Sequence, residues 1–167
     1  MKKLIFTIAL AFTAFNLSAQ DGNRNIGVGL QSSFPIYGLS AKFGITDKVL
    51  AQAVVAPFNS SSGDFGYSIN FYGVRGIYRF TDADNSLVPY GFAGVGLIRS
   101  TLKMGSLGST SSNMLGWNLG AGLEYFPNFL DNLGVSVELG YGAMNVSSVG
   151  VSVSSITAGG GIHYYFN

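Results

Sequence analysis

The chemistry open to this sequence begins with a single imidazole. His163 is the only histidine in 167 residues, and there is no cysteine. A hydrolytic triad needs a histidine, a hydroxyl nucleophile and an acid within hydrogen-bond reach, and no serine follows His163 in a short motif. A metal centre needs close ligands, for which there is neither a cysteine nor a second histidine. "GFAGVG" has the outline of a nucleotide-binding glycine motif, but its glycines lie inside a strand pattern and no helical pattern follows. The residues therefore imply no catalytic site, no metal and no cofactor. They leave a scattered polar set: Gln31, Lys42, Gln52, Arg75, Arg79, Arg99, Asn118, Glu124, Glu138 and His163. Charges taken out of bulk water need partners, so the elements that carry these residues must bring them together.

The amino-terminal segment belongs to export rather than to the fold. Met1-Lys2-Lys3 is basic, Leu4 to Leu17 is almost wholly apolar, and Leu17-Ser18-Ala19 before Gln20 is a small-residue cleavage pattern. The apolar run is too short to span a bilayer, which makes residues 1–19 a signal peptide. Losing Lys2 and Lys3 takes the nine Lys and Arg to seven, against eight Asp and Glu. Such a balance lacks the basic face that nucleic acid requires, so no nucleic-acid partner is expected. Without cysteine, the exported chain is held together without disulfides, and residues 20–167 suit one domain.

Only 10% of the residues are charged and 24 are glycine, whereas soluble domains carry roughly 25% charge. No apolar run after the signal is long enough for a membrane helix, so an apolar exterior must be built from strands. Eight segments show a period of two: Asn25 to Ser33, Tyr37 to Thr46, Lys48 to Pro57, Tyr67 to Phe80, Pro89 to Ser100, Asn113 to Phe126, Leu133 to Asn145, and Val153 to Phe166. Their connectors alternate in kind. Thr46-Asp47-Lys48, "TDADNSLV" and "PNFLDN" read as compact turns, whereas "FNSSSGDFG" and "TLKMGSLGSTSS" read as longer Ser- and Gly-rich loops.

Alternation then sorts side chains by face. In the sixth segment Leu115, Trp117, Leu119, Ala121, Leu123 and Tyr125 oppose Gly116, Asn118, Gly120, Gly122 and Glu124. The seventh and eighth repeat the pattern, the last setting Ile162, Tyr164 and Phe166 against Gly161, His163 and Tyr165. A face of glycine with a few charges is too small and too polar for a sandwich core, but it suits the inside of a narrow eight-stranded barrel whose apolar face meets lipid. The third and fifth segments are apolar or glycine-rich on both faces, and their faces are assigned by Gln52 and Arg99. Tyr37, Tyr78, Phe80, Tyr90, Tyr125, Tyr164 and Phe166 fall near strand ends, as interfacial girdles do.

With these features the chain resembles the small OmpA/OmpX-type outer-membrane proteins, over nearly the whole of residues 20–167. The terminal pattern Ile162, Tyr164, Phe166 is similar to that family's assembly signal, although here Asn167 follows the aromatic. The resemblance implies an all-β, eight-stranded antiparallel up-and-down barrel in the outer membrane of a Gram-negative bacterium. Its implied partners are outer-membrane lipid, lipopolysaccharide and the barrel-assembly machinery. The lumen face would hold a polar network, with Arg79 opposite Glu124 and Arg75 opposite Glu138 by depth. His163 would lie inside and toward the periplasmic end, away from where an outer-leaflet hydrolase would work. The expected role is non-enzymatic: structural, envelope-stabilising or surface-interacting. A small pore and a soluble lipocalin-like carrier are the alternatives.

Overall fold

Segments with Leu, Val, Ile or an aromatic at every second position form strands with one apolar face, and here eight of them close into a ring. The computed structural model describes residues 24–105, 108–146 and 150–166. Its elements are β1 (Ile26–Ser33), β2 (Ile36–Gly44), β3 (Val49–Ser62), β4 (Phe65–Arg79), β5 (Leu87–Met104), β6 (Ser109–Tyr125), β7 (Leu133–Val146) and β8 (Val151–Phe166). Each pairs antiparallel with the next, and β8 returns to β1 from Ile26↔Phe166 to Ser32↔Gly160. The terminal strand is thus the closing seam. The segment assigned to the signal lies outside the described residues.

The outward face is an apolar belt. Leu39, Val74, Val95, Leu97, Leu115, Trp117, Leu119, Val137 and Leu139 are all exposed on it. At one rim Tyr78 meets Phe80 and Tyr164 meets Phe166 edge to face, with centroids 5.6 and 5.4 Å apart. Tyr90, expected in this girdle, is instead buried inside the barrel with Phe92, Leu50 and Ile77. The lumen core is therefore partly apolar.

The two Ser-rich connectors are mostly strand, not loop. Strands β3 and β4 stay paired to Ser62↔Phe65 around a turn at Gly63 (φ 57°), and β5 and β6 to Lys103↔Ser109. Serine, threonine and asparagine run consecutively over 59–62 and 109–113, which hides the strand period, and they hydrogen-bond across strands, as in Ser68 to Asn59 and Thr101 with Ser111. These additions form a four-stranded extension beyond the belt, continuous from β3 to β6. Within it the large apolar side chains change sides, while serine and threonine stand on both faces, Ser60, Ser62, Ser100, Thr110 and Ser112 pointing inward. Asn59, Ser68, Asn70, Arg99, Thr101, Lys103 and Ser111 now lie on the outward face, whereas Phe58, Phe65, Tyr67, Ile69, Phe71, Leu102 and Met104 lie on the inward one.

On β1 and β2 the rim is lower. Gly38, with φ 139°, bends β2 over the lumen, where a Cβ would run into the carbonyl of Val55 and the side chain of Ala56. The tip of the β1–β2 hairpin consequently enters the barrel instead of standing above it.

Candidate functional site: a lumen closed from both ends

Strand alternation delivers one inward side chain per two residues, and the barrel is narrow enough for opposite strands to touch. Nearest the turns that follow β2, β4 and β6, Lys42 of β2 crosses to Glu124 of β6, Nζ to Oε1 at 2.8 Å. Tyr165 of β8 donates its hydroxyl to the same carboxylate and accepts from Lys42 Nζ at 3.0 Å. All three side chains are buried.

A second layer lies toward the other rim. Arg75 Nη2 of β4 meets Glu138 Oε1 of β7 at 2.8 Å, with the guanidinium carbon 4.2 Å from the ring centre of Phe92. Glu138 also accepts from the Tyr90 hydroxyl at 2.7 Å and from Gln31 Nε2 at 3.2 Å. Gln52 joins this layer by donating to Ser40 Oγ and to Gln31 Oε1. His163 Nε2 lies 2.8 Å from Ser40 Oγ, while Nδ1 has no hydrogen-bond partner among the described residues. In a Ser-His-Asp triad the second histidine nitrogen is held by an acid. This pair is buried and has none there.

Both mouths are closed by segments that are not part of the barrel wall. At the lower end Arg24, just before β1, stacks its guanidinium 3.7 Å from the ring centre of Phe126. It donates to the carbonyls of Ala83, Asn85 and Asp131, tying the β4–β5 and β6–β7 turns together. Arg79 Nη2 donates in turn to the Arg24 carbonyl at 2.6 Å. At the upper end Phe34, Pro35 and Ile36 rest on wall glycines of four strands, Gly73, Gly96, Gly116 and Gly142, where any Cβ would press on the tip. Asn118 Nδ2 fixes it by donating to the Phe34 carbonyl at 2.8 Å.

Of the residues singled out in the sequence, Gln31, Lys42, Gln52, Arg75, Arg79, Asn118, Glu124, Glu138 and His163 lie inside and are buried. Arg75 pairs with Glu138 as their depths suggested. Arg79 does not pair with Glu124: that carboxylate takes Lys42, because partners across a narrow lumen are set by which strands face each other, not by depth alone. Arg99 is not in the lumen. It is exposed on the outward face of β5, opposite Asn70 and Asn113, since β5 turns Tyr90, Phe92 and Ile98 inward. Ile162, Tyr164 and Phe166 face outward at the seam. Sequence reasoning passed over Ser40, the inward role of Tyr90 and Phe92, the Arg24 clamp and the hairpin tip. Tyr165 was legible as an inward neighbour of His163.

No family model matches the sequence, and no curated protein matches it. Among solved structures, the N-terminal β-barrel domain of Pseudomonas aeruginosa OprF is similar at a TM-score of 0.55 and 23% identity, covering 84% of this chain and 95% of that one. Neisserial surface protein A gives 0.49 and 20%, covering 84% and 93%. Ail, the attachment invasion locus protein of Yersinia pestis, solved with the heparin analogue sucrose octasulfate, gives 0.49 and 16%, covering 83% and 96%. At such identities the likeness is one of fold. With eight antiparallel strands in a closed ring, an apolar exterior and a polar lumen, the chain has the fold of the eight-stranded outer-membrane β-barrels.

Proposed function

We propose that the protein is a non-enzymatic barrel of the Gram-negative outer membrane, exported on residues 1–19, which acts through its outer surface rather than its lumen. The observation that carries this reading is the double closure: the Phe34 to Ile36 tip above and the Arg24 clamp below, with two ion-paired layers between. Such a body is a rigid anchor for the polar extension of β3 to β6. On that extension Arg99 and Lys103 follow the last belt residue of β5, Leu97, on the outward face. Two cations at that level suit the anionic head groups of lipopolysaccharide. The outward set Ile162, Tyr164, Phe166 beside the β1 seam supports its reading as a signal for the barrel-assembly machinery.

The exposed belt of Leu, Val and aromatic side chains speaks against a soluble carrier, which would turn them inward. Purified protein in planar lipid bilayers tests the choice between anchor and pore. The expected record is a flat baseline with no discrete conductance steps, and reproducible steps from the wild-type chain would overturn the reading.

A further inference from the structure

The inward face of the extension is out of keeping with water. Above the hairpin tip it presents Phe58, Phe65, Tyr67, Leu102 and Met104, and Phe58, Phe65 and Leu102 are 59%, 65% and 43% exposed. Phe58 packs edge to face on Phe71, and Phe71 on Tyr37, at centroid separations of 6.1 and 5.7 Å. Across the mouth, the register turns Met144 and Val153 of the β7–β8 hairpin to the same inner side. The inner face of the extension carries no Asp, Glu, Lys, Arg or His among the described residues. Its large apolar side chains are interspersed with the hydroxyls of Ser60, Ser62, Ser100, Thr110 and Ser112, so it is a largely apolar, uncharged cup with a polar and charged outer wall.

The cup is open on one side. Pairing of β1 with β8 stops at Ser32↔Gly160, and pairing of β2 with β3 stops at Leu39↔Val55. Beyond those pairs, Pro57 to Ser62 of β3 and Val151 to Ala158 of β8 are paired only on their far sides, with β4 and β7, and their other edges border a notch above the β1–β2 hairpin with no strand partner there among the described residues. On β8, Ala158 and Ile156 lie past the last pair with β1 yet still belong to the outward apolar belt, and Ile156 is 78% exposed. The notch therefore begins below the top of the belt. Its lower lip is formed by Leu39 and Val55, which are belt residues too. Lipid-facing surface runs through the notch into the cup without an intervening charge.

We propose that this cup receives an acyl chain of an outer-leaflet lipid, which enters sideways through the notch between β3 and β8. Continuity with the belt favours a chain already in the membrane over a solute from outside, and the neutral lining excludes a charged ligand. The inference rests on the reading of the belt as lipid-facing.

The test uses the purified chain in nanodiscs of dimyristoyl phosphatidylcholine doped with a phosphatidylcholine that carries a diazirine in its acyl chain. After illumination, adducts are mapped by mass spectrometry. Adducts are expected on belt residues such as Leu115 and Leu139 and also on Phe58, Tyr67 and Leu102, with none on Asn59 or Thr101 on the outer wall of the same strands. The double variant F58S/L102S should lower labelling of Tyr67 by roughly tenfold or more, as loss of large apolar contacts implies, with belt labelling unchanged. Belt adducts without cup adducts overturn the inference, and so does equal labelling of the outer wall. Absence of belt adducts overturns the membrane reading itself. A free diazirine fatty acid added from water to undoped discs identifies the source, since cup labelling by it alone overturns lateral entry. If the double variant does not fold, as judged by its heat-shifted gel migration, the wild-type map still decides.

Discussion

Lys42 and Glu124 sit 82 residues apart in the chain and 2.8 Å apart across the lumen, tied together by the hydroxyl of Tyr165. Removing one partner of a buried ion pair strands the other, which typically costs about 3–5 kcal/mol, whereas replacing both with apolar groups of similar size is often neutral. E124A should therefore shift denaturant unfolding in lipid vesicles by about that amount, and K42M/E124L should recover most of the loss. Additive losses in the double variant would show that the two side chains act separately.

The second layer makes a related but distinct prediction. Glu138 gathers three donors, from Arg75, Tyr90 and Gln31. E138A should destabilise the barrel by about 3–5 kcal/mol, and E138Q, which keeps an acceptor, by less. An unchanged unfolding profile for E138A would mean that the layer contributes no stability.

Arg99 provides the opposite case. Its side chain is exposed on the outward face of the extension, and substitutions at such sites usually fall within about 0.5 kcal/mol. R99Q is expected to unfold like the wild type. A loss as large as that of E138A would put Arg99 back in the lumen.

The upper closure can be tested through its seat. A side chain at position 96 would press on Pro35 and Ile36, so G96L should lift the hairpin tip. Because the chain has no cysteine, F34C gives a single reporter thiol. Its reaction with a membrane-impermeant maleimide should be slow in the parent barrel and several-fold faster with G96L added. Equal rates would show that the tip does not rest on Gly96.

At the other mouth, R24A removes the donors that bind Ala83, Asn85 and Asp131. Hydrogen bonds from charged groups contribute about 1.5–3 kcal/mol each before solvent exposure weakens them. Amide exchange in the β4–β5 and β6–β7 turns should quicken together, with the upper rim unaffected. Quickening in only one turn would mean that Arg24 is not their common tie.

The fold was open to inspection from the start because a period of two survives in nearly every strand, and lipid and lumen demand opposite chemistry from its two faces. The same rule misled at β5. "PYGFAGVGLI" offers no polar residue at belt depth, so Arg99 decided its face, but Arg99 stands above the belt, where polar side chains turn outward. A shift of one residue reverses every side chain on a strand, so an inward Arg99 sends Tyr90 outward to the girdle. Pairing was only half legible. Depth along a strand follows from counting, which brought Arg75 to Glu138, but which strands face each other across the lumen depends on stagger around the ring, and that gave Glu124 to Lys42. The Arg24 clamp and the inserted tip lie outside the periodic segments and left no comparable signal.

The change of sides along β4 to β6 also fixes how deep the molecule sits. If the barrel sank by two residues, Asn70, Arg99 and Asn113 would enter hydrocarbon, where an arginine costs several kcal/mol at the centre and progressively less toward the interface. If it rose by two, Tyr72, Leu97 and Leu115 would be drawn into water. Opposed penalties of this kind hold the barrel at one level, with vertical excursions resisted in both directions by three adjacent strands.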